Sequence, residues 1–136
     1  MAELTVQFVR PDRLMFEGAC EHLVLATPHG ELGIWPAHAP LICALGDGIV
    51  RITRRDEDGG GTVRIIISGG YAEIANDKVI ILADHARRTD DVEPEVVEAT
   101  KAEAEATLAE LDENDNRRAY WENRVKWCNL LLKHAE

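Results

Sequence analysis

The stretch VRIIISGGYAEIANDKVIILA, residues 63–83, decides the fold of the chain. It contains three apolar runs of strand length, at 63–68, 71–75 and 79–83. Gly-Gly and Asn-Asp dipeptides separate these runs, and both dipeptides are turn signals. No segment between the runs is long enough to form a helix. The stretch therefore predicts consecutive antiparallel β-strands joined by compact turns.

The same pattern continues back to the amino terminus. Leu4, Val6 and Phe8 occupy alternate positions, which is the period of a strand with one buried face. Between Thr53 and Val63, the DEDGGG sequence is typical of a hairpin loop. Many short strands without helices between them predict an antiparallel β-sandwich or barrel. Further strand-length runs lie at 14–16, 23–27, 41–45 and 49–53, with turn signals at 28–30 and 46–48.

The pattern changes at Pro94, because residues 94–135 contain no glycine and the only proline is the first residue. Proline is tolerated there, since the first N–H of a helix has no partner within the helix. Two amphipathic stripes with helical spacing follow, on either side of a polar turn at 112–116. We therefore expect an antiparallel helical hairpin. The stripes are Val97, Ala104, Leu108 and Leu111, then Trp121, Val125, Cys128, Leu132 and Ala135.

Composition excludes several classes of protein. The chain has 136 residues, of which 46% are hydrophobic, so it can bury an apolar core. Its net charge of -10 repels phosphate backbones, which argues against nucleic-acid binding. No apolar run approaches the length that crosses a bilayer. Three cysteines without a CxxC pair support neither a disulfide framework nor a zinc ribbon, and we expect buried free thiols at Cys20, Cys43 and Cys128.

Motifs for catalysis are absent from the sequence. Residues 29–31 match the H-x-E half of a zinc deaminase, but the P-C-x-x-C half is missing. There is no P-loop lysine motif and no Gly-x-Ser-x-Gly elbow. A metal site assembled from Cys20, His22, His29 and His38 would need ligands with no recognised spacing. We therefore expect no catalytic residues, no metal and no cofactor.

Charge separates the two expected helices. Residues 94–116 carry a net charge of -7, with Lys101 as the single base, whereas residues 117–136 carry +3. One interpretation is that the helices attract each other when they pack, although exposed ion pairs contribute little. The other is that the basic helix docks on an acidic partner, with Trp121 and Trp127 as candidate anchors.

The segment GELGIWPAHAPL, residues 30–41, is unusually stiff. Two prolines fix the backbone on either side of His38, and strand pairing must stop there. A stiff loop that exposes Glu31, Ile34, Trp35 and His38 would suit protein recognition, because little conformational entropy is lost on binding. Alternatively, Ile34 and Trp35 cap the core of the sandwich.

These residues carry a resemblance to a known family. The segments at 30–41, 68–74 and 79–84, together with Phe16-Glu17-Gly18, resemble the ε subunit of bacterial F-type ATP synthases. The resemblance implies an antiparallel β-sandwich of about ten strands followed by a two-helix antiparallel hairpin. It also implies three parts, namely a sandwich over residues 1–86 that binds the rotor, a linker over 87–93 and a regulatory hairpin over 94–136.

The function implied by the resemblance is non-catalytic. The family's subunit belongs to the rotor, where it binds the γ subunit and the c-subunit ring and couples ion movement to ATP synthesis. It contacts the α/β catalytic head transiently, binds no nucleic acid, and associates indirectly with the cytoplasmic face of the bacterial membrane. The residues that the resemblance places at the c-ring and γ interface are Glu31, Gly33, Ile34, Trp35 and His38.

In the family the helical hairpin is a regulatory element. It packs compactly or extends into the catalytic head, where bases of the last helix meet an acidic segment and inhibit hydrolysis. The corresponding bases here are Arg117, Arg118, Arg124, Lys126 and Lys133.

Some family members bind ATP through a segment resembling [IL]-D-x-x-R-A. Here residues 92–97 keep only the acid, Glu93, and lack the arginine, so weak or absent ATP binding is expected. The alternative to the whole assignment is a stand-alone β-sandwich binding module with a helical tail for an acidic partner.

Overall fold

The computed structural model describes residues 3–135. In this part of the chain eight β-strands precede two α-helices, and the chain divides into two units between Arg88 and Thr89. Short 3-10 helices lie at Asp56–Asp58 and Thr89–Asp91. The strands are β1 (Leu4–Arg10), β2 (Arg13–Cys20), β3 (His22–Thr27), β4 (Gly30–Ile34), β5 (Leu41–Ala44), β6 (Asp47–Thr53), β7 (Thr62–Ala75) and β8 (Lys78–Arg88); the helices are α1 (Pro94–Glu110) and α2 (Arg118–His134).

The strands form a β-sandwich, as the sequence predicts. They pair in the order β2-β1-β8-β7-β6-β3-β4, and β5 pairs with β7 beside this path. All pairs are antiparallel except β1 with β8, which is parallel. This departs from the expected antiparallel arrangement. A parallel pair needs a long connection, and β1 and β8 are separated by most of the unit.

The strand β7 passes from one layer of the sandwich to the other. It pairs with β6 up to Ser68 and with β5 from Tyr71 onward. The side chains of β7 that belong to the core cluster change from odd positions, Ile65 and Ile67, to even positions, Ala72 and Ile74. A strand that bends in this way belongs to both sheets of the sandwich.

Gly69 and Gly70 make this bend possible. Sequence analysis places a turn here between two strands, but β7 continues through both glycines in register with β8. Gly70 has φ +126°, and a Cβ atom on it would overlap the carbonyl oxygen of Leu82. The glycines therefore bend one long strand instead of ending it, which lowers the strand count below the expected ten.

The core confirms the alternation read from the sequence. Leu4, Val6 and Phe8 of β1 are fully buried and join a single apolar cluster with side chains from the other layer. Burial of each such side chain contributes roughly 1.5–3 kcal/mol relative to exposure. Two boundaries differ from expectation, since residues 30–34 form a strand and β8 continues to Arg88 through residues expected in the linker.

The helical unit is a pair of helices that pack on each other. α1 begins at Pro94, and a short turn over residues 111–117 leads into α2. Val97 and Ala104 of the predicted first stripe are buried, as is Cys128 of the second. Leu131 is also buried, although the sequence stripe placed its neighbour Leu132 in that role. Neither helix has the length and apolar character needed to cross a bilayer within the described residues.

Candidate functional site

Residues 31–38, here called the corner, lie at the end of β4 and in the connection to β5. Glu31 is exposed and pairs with Arg51 of β6, with 2.6 Å between Oε2 and Nη1. The hydrogen bond and charge of Arg51 lower the pKa of Glu31, and the same contact raises the pKa of Arg51. The carboxylate at the start of the corner is therefore held in one position and remains ionised at neutral pH.

Trp35 lies flat at the surface of the corner. Its ring stacks on His22 of β3, with centroids 4.9 Å apart and planes 10° from parallel. It also covers Gly33, where an added Cβ would overlap the indole ring. The indole remains 54% exposed. Gly33 is therefore required for this ring position, and Trp35 presents a large, ordered face.

Asp77 ties the corner to the turn between β7 and β8. Its Oδ1 accepts a hydrogen bond of 2.6 Å from the N–H of Ala37, whose φ is +68°. Asn76 and Asp77 both have positive φ, as a two-residue hairpin turn requires. The sequence predicts the turn but not the contact with the corner.

The remaining two predicted corner residues have different surroundings. Nδ1 of His38 lies 2.6 Å from the carbonyl oxygen of Ala39. Because a carbonyl oxygen can only accept, Nδ1 is protonated and is the hydrogen-bond donor. Ile34 is fully buried opposite Leu23, which contradicts the interpretation that it is exposed and agrees with the alternative that it caps the core. Ile34 anchors β4 in the core, and the exposed part of the corner consists of the side chains around it.

A second surface feature, which sequence analysis missed, is an exposed apolar row on the outer face of one layer. Tyr71, Leu82, Val9 and Leu14 lie opposite one another on β7, β8, β1 and β2. Tyr71, Leu82 and Leu14 are between 49% and 64% exposed, and Ile42 of β5 is 70% exposed. We call these five residues the apolar stripe. Apolar residues on both faces of a strand look like a fully buried strand in the sequence, which is why the stripe was not predicted.

Acidic residues border the apolar stripe. Glu73 of β7 lies opposite Ile42, and Glu17 of β2 lies opposite Gln7 in the same neighbouring row of the sheet. Both carboxylates belong to exposed residues. The surface therefore combines an apolar centre with a partly acidic rim.

Two of the bases predicted in the helical unit are used inside it. Arg117 pairs with Asp115, with 2.8 Å between Nη2 and Oδ2, and Asp115 also accepts the N–H of Arg117. These contacts lower the pKa of Asp115 to about 2. Nη1 of Arg118 donates to the carbonyl oxygens of Leu108 at 3.2 Å and Leu111 at 3.3 Å. Both arginines thus stabilise the turn between the helices.

The other bases are on the surface of α2. Arg124, Lys126 and Lys133 are exposed, and none forms an ion pair within the described residues. Residues seven apart share a helix face, whereas Arg124 and Lys126 differ by about 200° around the axis. Arg124 therefore lies in line with Arg117, and Lys126 lies in line with Lys133 on nearly the opposite face.

The tryptophans predicted as anchors of α2 and the predicted nucleotide-binding residue Glu93 make few contacts that indicate a binding site. Trp121 and Trp127 are half-buried, and Trp121 makes an edge-to-face contact with Tyr120, with centroids 5.0 Å apart. Glu93 is exposed, precedes α1 and makes no side-chain capping bond. Its surroundings are acidic, as the sequence predicts, with Asp90, Asp91 and Glu95 nearby in the chain.

No group of three or more histidine, cysteine or acidic side chains in residues 3–135 is arranged to hold a metal ion. The three cysteines form no disulfide in this part of the chain, and Cys20 and Cys128 are buried while Cys43 is half-buried. Burial, with a smaller effect from the charge of Glu3, raises the pKa of Cys20 to about 11.

Comparison with known proteins identifies the family. Residues 3–89 match the family model described as the β-sandwich domain of the ATP synthase delta/epsilon chain. The ATP synthase epsilon chain of Thermosynechococcus vestitus is 35% identical over 116 residues, which is 85% of this chain and 81% of that one. The chain belongs to the ATP synthase epsilon-chain family. The epsilon chain of Brevibacillus brevis is 37% identical over 110 residues, covering 81% of each chain.

Solved structures with the same fold include a chain of the Euglena gracilis mitochondrial ATP synthase. It has a TM-score of 0.76 and 22% identity, and the match covers 100% of this epsilon-family chain and 83% of that one. A chain from the central stalk and c-ring of the Tetrahymena thermophila enzyme has a TM-score of 0.56 and 14% identity, with coverage of 98% and 96%. At these identities the likeness supports the fold alone.

Proposed function

We propose that this protein is a non-catalytic subunit of the rotor of a bacterial F-type ATP synthase. In that position it would help to couple ion movement through the c-ring to ATP synthesis. The observation that carries the proposal is the similarity to bacterial ATP synthase epsilon chains, at 35–37% identity over more than 80% of this chain. Association with the cytoplasmic face of the membrane would be indirect, through its partner subunits.

The corner supports the proposed contact with the c-ring and γ. A rotor subunit must transmit torque, and a surface that is ordered before binding loses little entropy when it docks. Glu31 is held by Arg51, Trp35 by stacking on His22, and the backbone at Ala37 by Asp77. Gly33 and His38 complete this preorganised surface, and buried Ile34 holds it to the core.

The apolar stripe supports a second contact with γ. Contiguous exposed apolar side chains are uncommon on proteins that act alone, and they mark interaction surfaces. Tyr71 can fill a pocket and place its hydroxyl at the rim, which is the usual role of tyrosine in interfaces. The acids beside the stripe favour a partner surface with basic residues at its edge.

The helical unit supports a regulatory role. Its bases fit an acidic segment of the catalytic head. They form two pairs around the helix axis, one with Arg124 and with Arg117 just before α2, and one with Lys126 and Lys133. A single acidic helix would contact one face at a time, so the two pairs make separable contributions. Replacement of Arg124 and Lys126 by alanine should relieve inhibition of hydrolysis in the assembled complex, and unchanged hydrolysis would contradict electrostatic docking.

Nucleotide binding is not part of the proposed function. The exposed acids around Glu93 repel a triphosphate, and the arginine of the family's nucleotide segment is absent from residues 92–97. Titration of the isolated protein with ATP, followed by the fluorescence of Trp121 and Trp127, should show no micromolar transition.

The decisive experiment uses the complete chain and a version truncated after Val92, each expressed in the assembled complex. Both should co-purify with γ and the c-ring, because the sandwich carries the proposed docking surfaces. Truncation should preserve coupled synthesis and raise ATP hydrolysis. Failure of the full chain to co-purify with γ would overturn the proposal and favour a stand-alone binding module.

A further inference from the structure

We propose that Arg118 is a latch that holds the helical hairpin closed, and that it must leave the end of α1 before it can serve an acidic partner. The inference rests on the proposed regulatory role of the hairpin. It assigns to Arg118 a positioning role that opposes the inhibitory role implied for the five bases as a group.

The latch compensates for an unfavourable end of α1. The last carbonyl groups of a helix have no partners within it, and they form the negative end of the helix dipole. The last turn of α1 has no basic residue, and Leu111 ends the helix in an extended conformation, with φ −90° and ψ 142°. The backbone N–H of Leu111 donates to the carbonyl oxygen of Leu108 at 3.1 Å. The guanidinium of Arg118 adds a second hydrogen bond to that oxygen, a hydrogen bond to the carbonyl of Leu111, and positive charge at the helix end.

Arg118 differs in this respect from the other four bases. Arg117 is bound to Asp115 within the turn itself, and that contact does not reach α1. Arg124, Lys126 and Lys133 point outward without an ion pair in the described part of the chain. Within that part, Arg118 is the base of α2 whose side chain bonds to α1.

The same carbonyl groups have a second possible set of donors. In a continuous helix through residues 111–117, Leu108 would accept from the N–H of Asp112, and Leu111 would accept from the N–H of Asp115. Straightening the turn would therefore satisfy both carbonyls without Arg118 and would release its guanidinium. The closed and extended hairpins are two alternative ways of satisfying one set of acceptors, which is the basis of a two-state element.

The latch can be tested in the isolated full-length protein through the reactivity of Cys128. This thiol is buried in α2, so its labelling by a thiol reagent reports on opening of the hairpin, while buried Cys20 reports on the sandwich. Arg118→Ala should accelerate labelling of Cys128 roughly threefold to tenfold, because its two long, part-buried hydrogen bonds together contribute about as much as one ordinary hydrogen bond. Labelling of Cys20 should not change.

Arg124→Ala is the matched control, because it removes the same charge from the same helix without removing a contact to α1. Its Cys128 should react at the wild-type rate. Equal labelling rates in wild type, Arg118→Ala and Arg124→Ala would overturn the latch.

In the assembled complex, the two variants should change the rate at which inhibition begins in opposite directions. If Arg118 is a latch, Arg118→Ala should speed the onset of inhibition of hydrolysis, whereas Arg124→Ala should slow it. Slower onset in both variants would mean that Arg118 acts in docking, and would overturn its role as a regulatory latch. If truncation after Val92 leaves hydrolysis unchanged, the proposed regulation itself fails, while the labelling of Cys128 still decides whether Arg118 closes the hairpin.

Discussion

In the sandwich, alternate side chains from strands of both layers meet in one apolar cluster, whereas the helical hairpin has little of this kind of support. Among the described residues of α1 and α2, only Val97, Ala104, Cys128 and Leu131 are buried. The turn between the helices depends on Arg117 and Arg118. Disrupting a close-packed apolar core is costly because its contacts are not replaced, whereas surface hydrogen bonds and ion pairs can be exchanged for others at little net cost. The first unit is therefore suited to bear load and the second to change state.

The largest expected effect is a loss of stability of the sandwich in a variant at Gly70. In Gly70→Ala the new methyl group would overlap the carbonyl oxygen of Leu82 at a positive φ, so we expect the free energy of unfolding to fall by about 2–4 kcal/mol. Urea unfolding followed by circular dichroism measures it. Gly61→Ala is the control, since φ is also positive there but space is open, and about 1 kcal/mol is expected. Equal losses in the two variants would show that the close approach to Leu82 does not matter.

A smaller effect separates binding from stability on the sandwich surface. Leu82→Ser removes an apolar side chain from the centre of the apolar stripe, and we expect affinity for γ to fall about tenfold or more. The free energy of unfolding should change by less than about 0.5 kcal/mol, because the side chain is half exposed.

The matched control for this prediction is Val96→Ser, at an exposed apolar position of α1. Binding of γ, measured by surface plasmon resonance, should be unchanged in this variant. Loss of affinity in both variants, or in neither, would remove the stripe from the γ interface.

The corner offers a prediction of intermediate size. Asp77→Ala removes the acceptor for the N–H of Ala37 and places alanine at a φ of 60°, so we expect a loss of about 1–2 kcal/mol and faster hydrogen exchange at that amide. Asp77→Asn keeps an acceptor oxygen and should behave almost as the wild type does. If exchange at Ala37 is equally slow in all three proteins, Asp77 does not hold the corner.

The smallest expected effect is a loss of stability of the helical hairpin at acid pH, caused by protonation of Asp115. The pKa of Asp115 is about 2 in the folded protein against an ordinary value of 3.8, so its contribution to stability is complete above about pH 4 and is lost as the pH falls through 2. Helical circular dichroism should show this acid transition. Asp115→Asn should remove the step, and persistence of the step in that variant would assign it to another carboxylate.

Much of the fold follows from local patterns in the sequence. Leu4, Val6 and Phe8 alternate because one face of β1 is buried, and Pro94 begins α1 because a helix start tolerates proline. The bend at Gly70 was read as a turn, because glycine signals both and only the position of Leu82 in space distinguishes them. The parallel pairing of β1 with β8 is likewise a property of the whole unit.

The candidate binding surfaces were harder to predict than the fold. Glu31, Ile34, Trp35 and His38 were expected at the surface from the stiffness of their segment, but nothing in the local sequence distinguished exposed Trp35 from buried Ile34. The apolar stripe depends on which strands are neighbours, because its five members lie on five different strands between Val9 and Leu82 and share no motif. The contact of Arg118 with α1 depends on how the turn folds back.

The long strands β7 and β8 have a mechanical consequence. They form one hairpin that runs through both layers, and the turn at its tip holds the corner through Asp77. A force applied at the corner along this hairpin would stress many inter-strand hydrogen bonds in parallel, as in shear, and would not open them one after another from an end. The bent hairpin should therefore withstand a larger force applied along its strands than a force that separates the strands from one end.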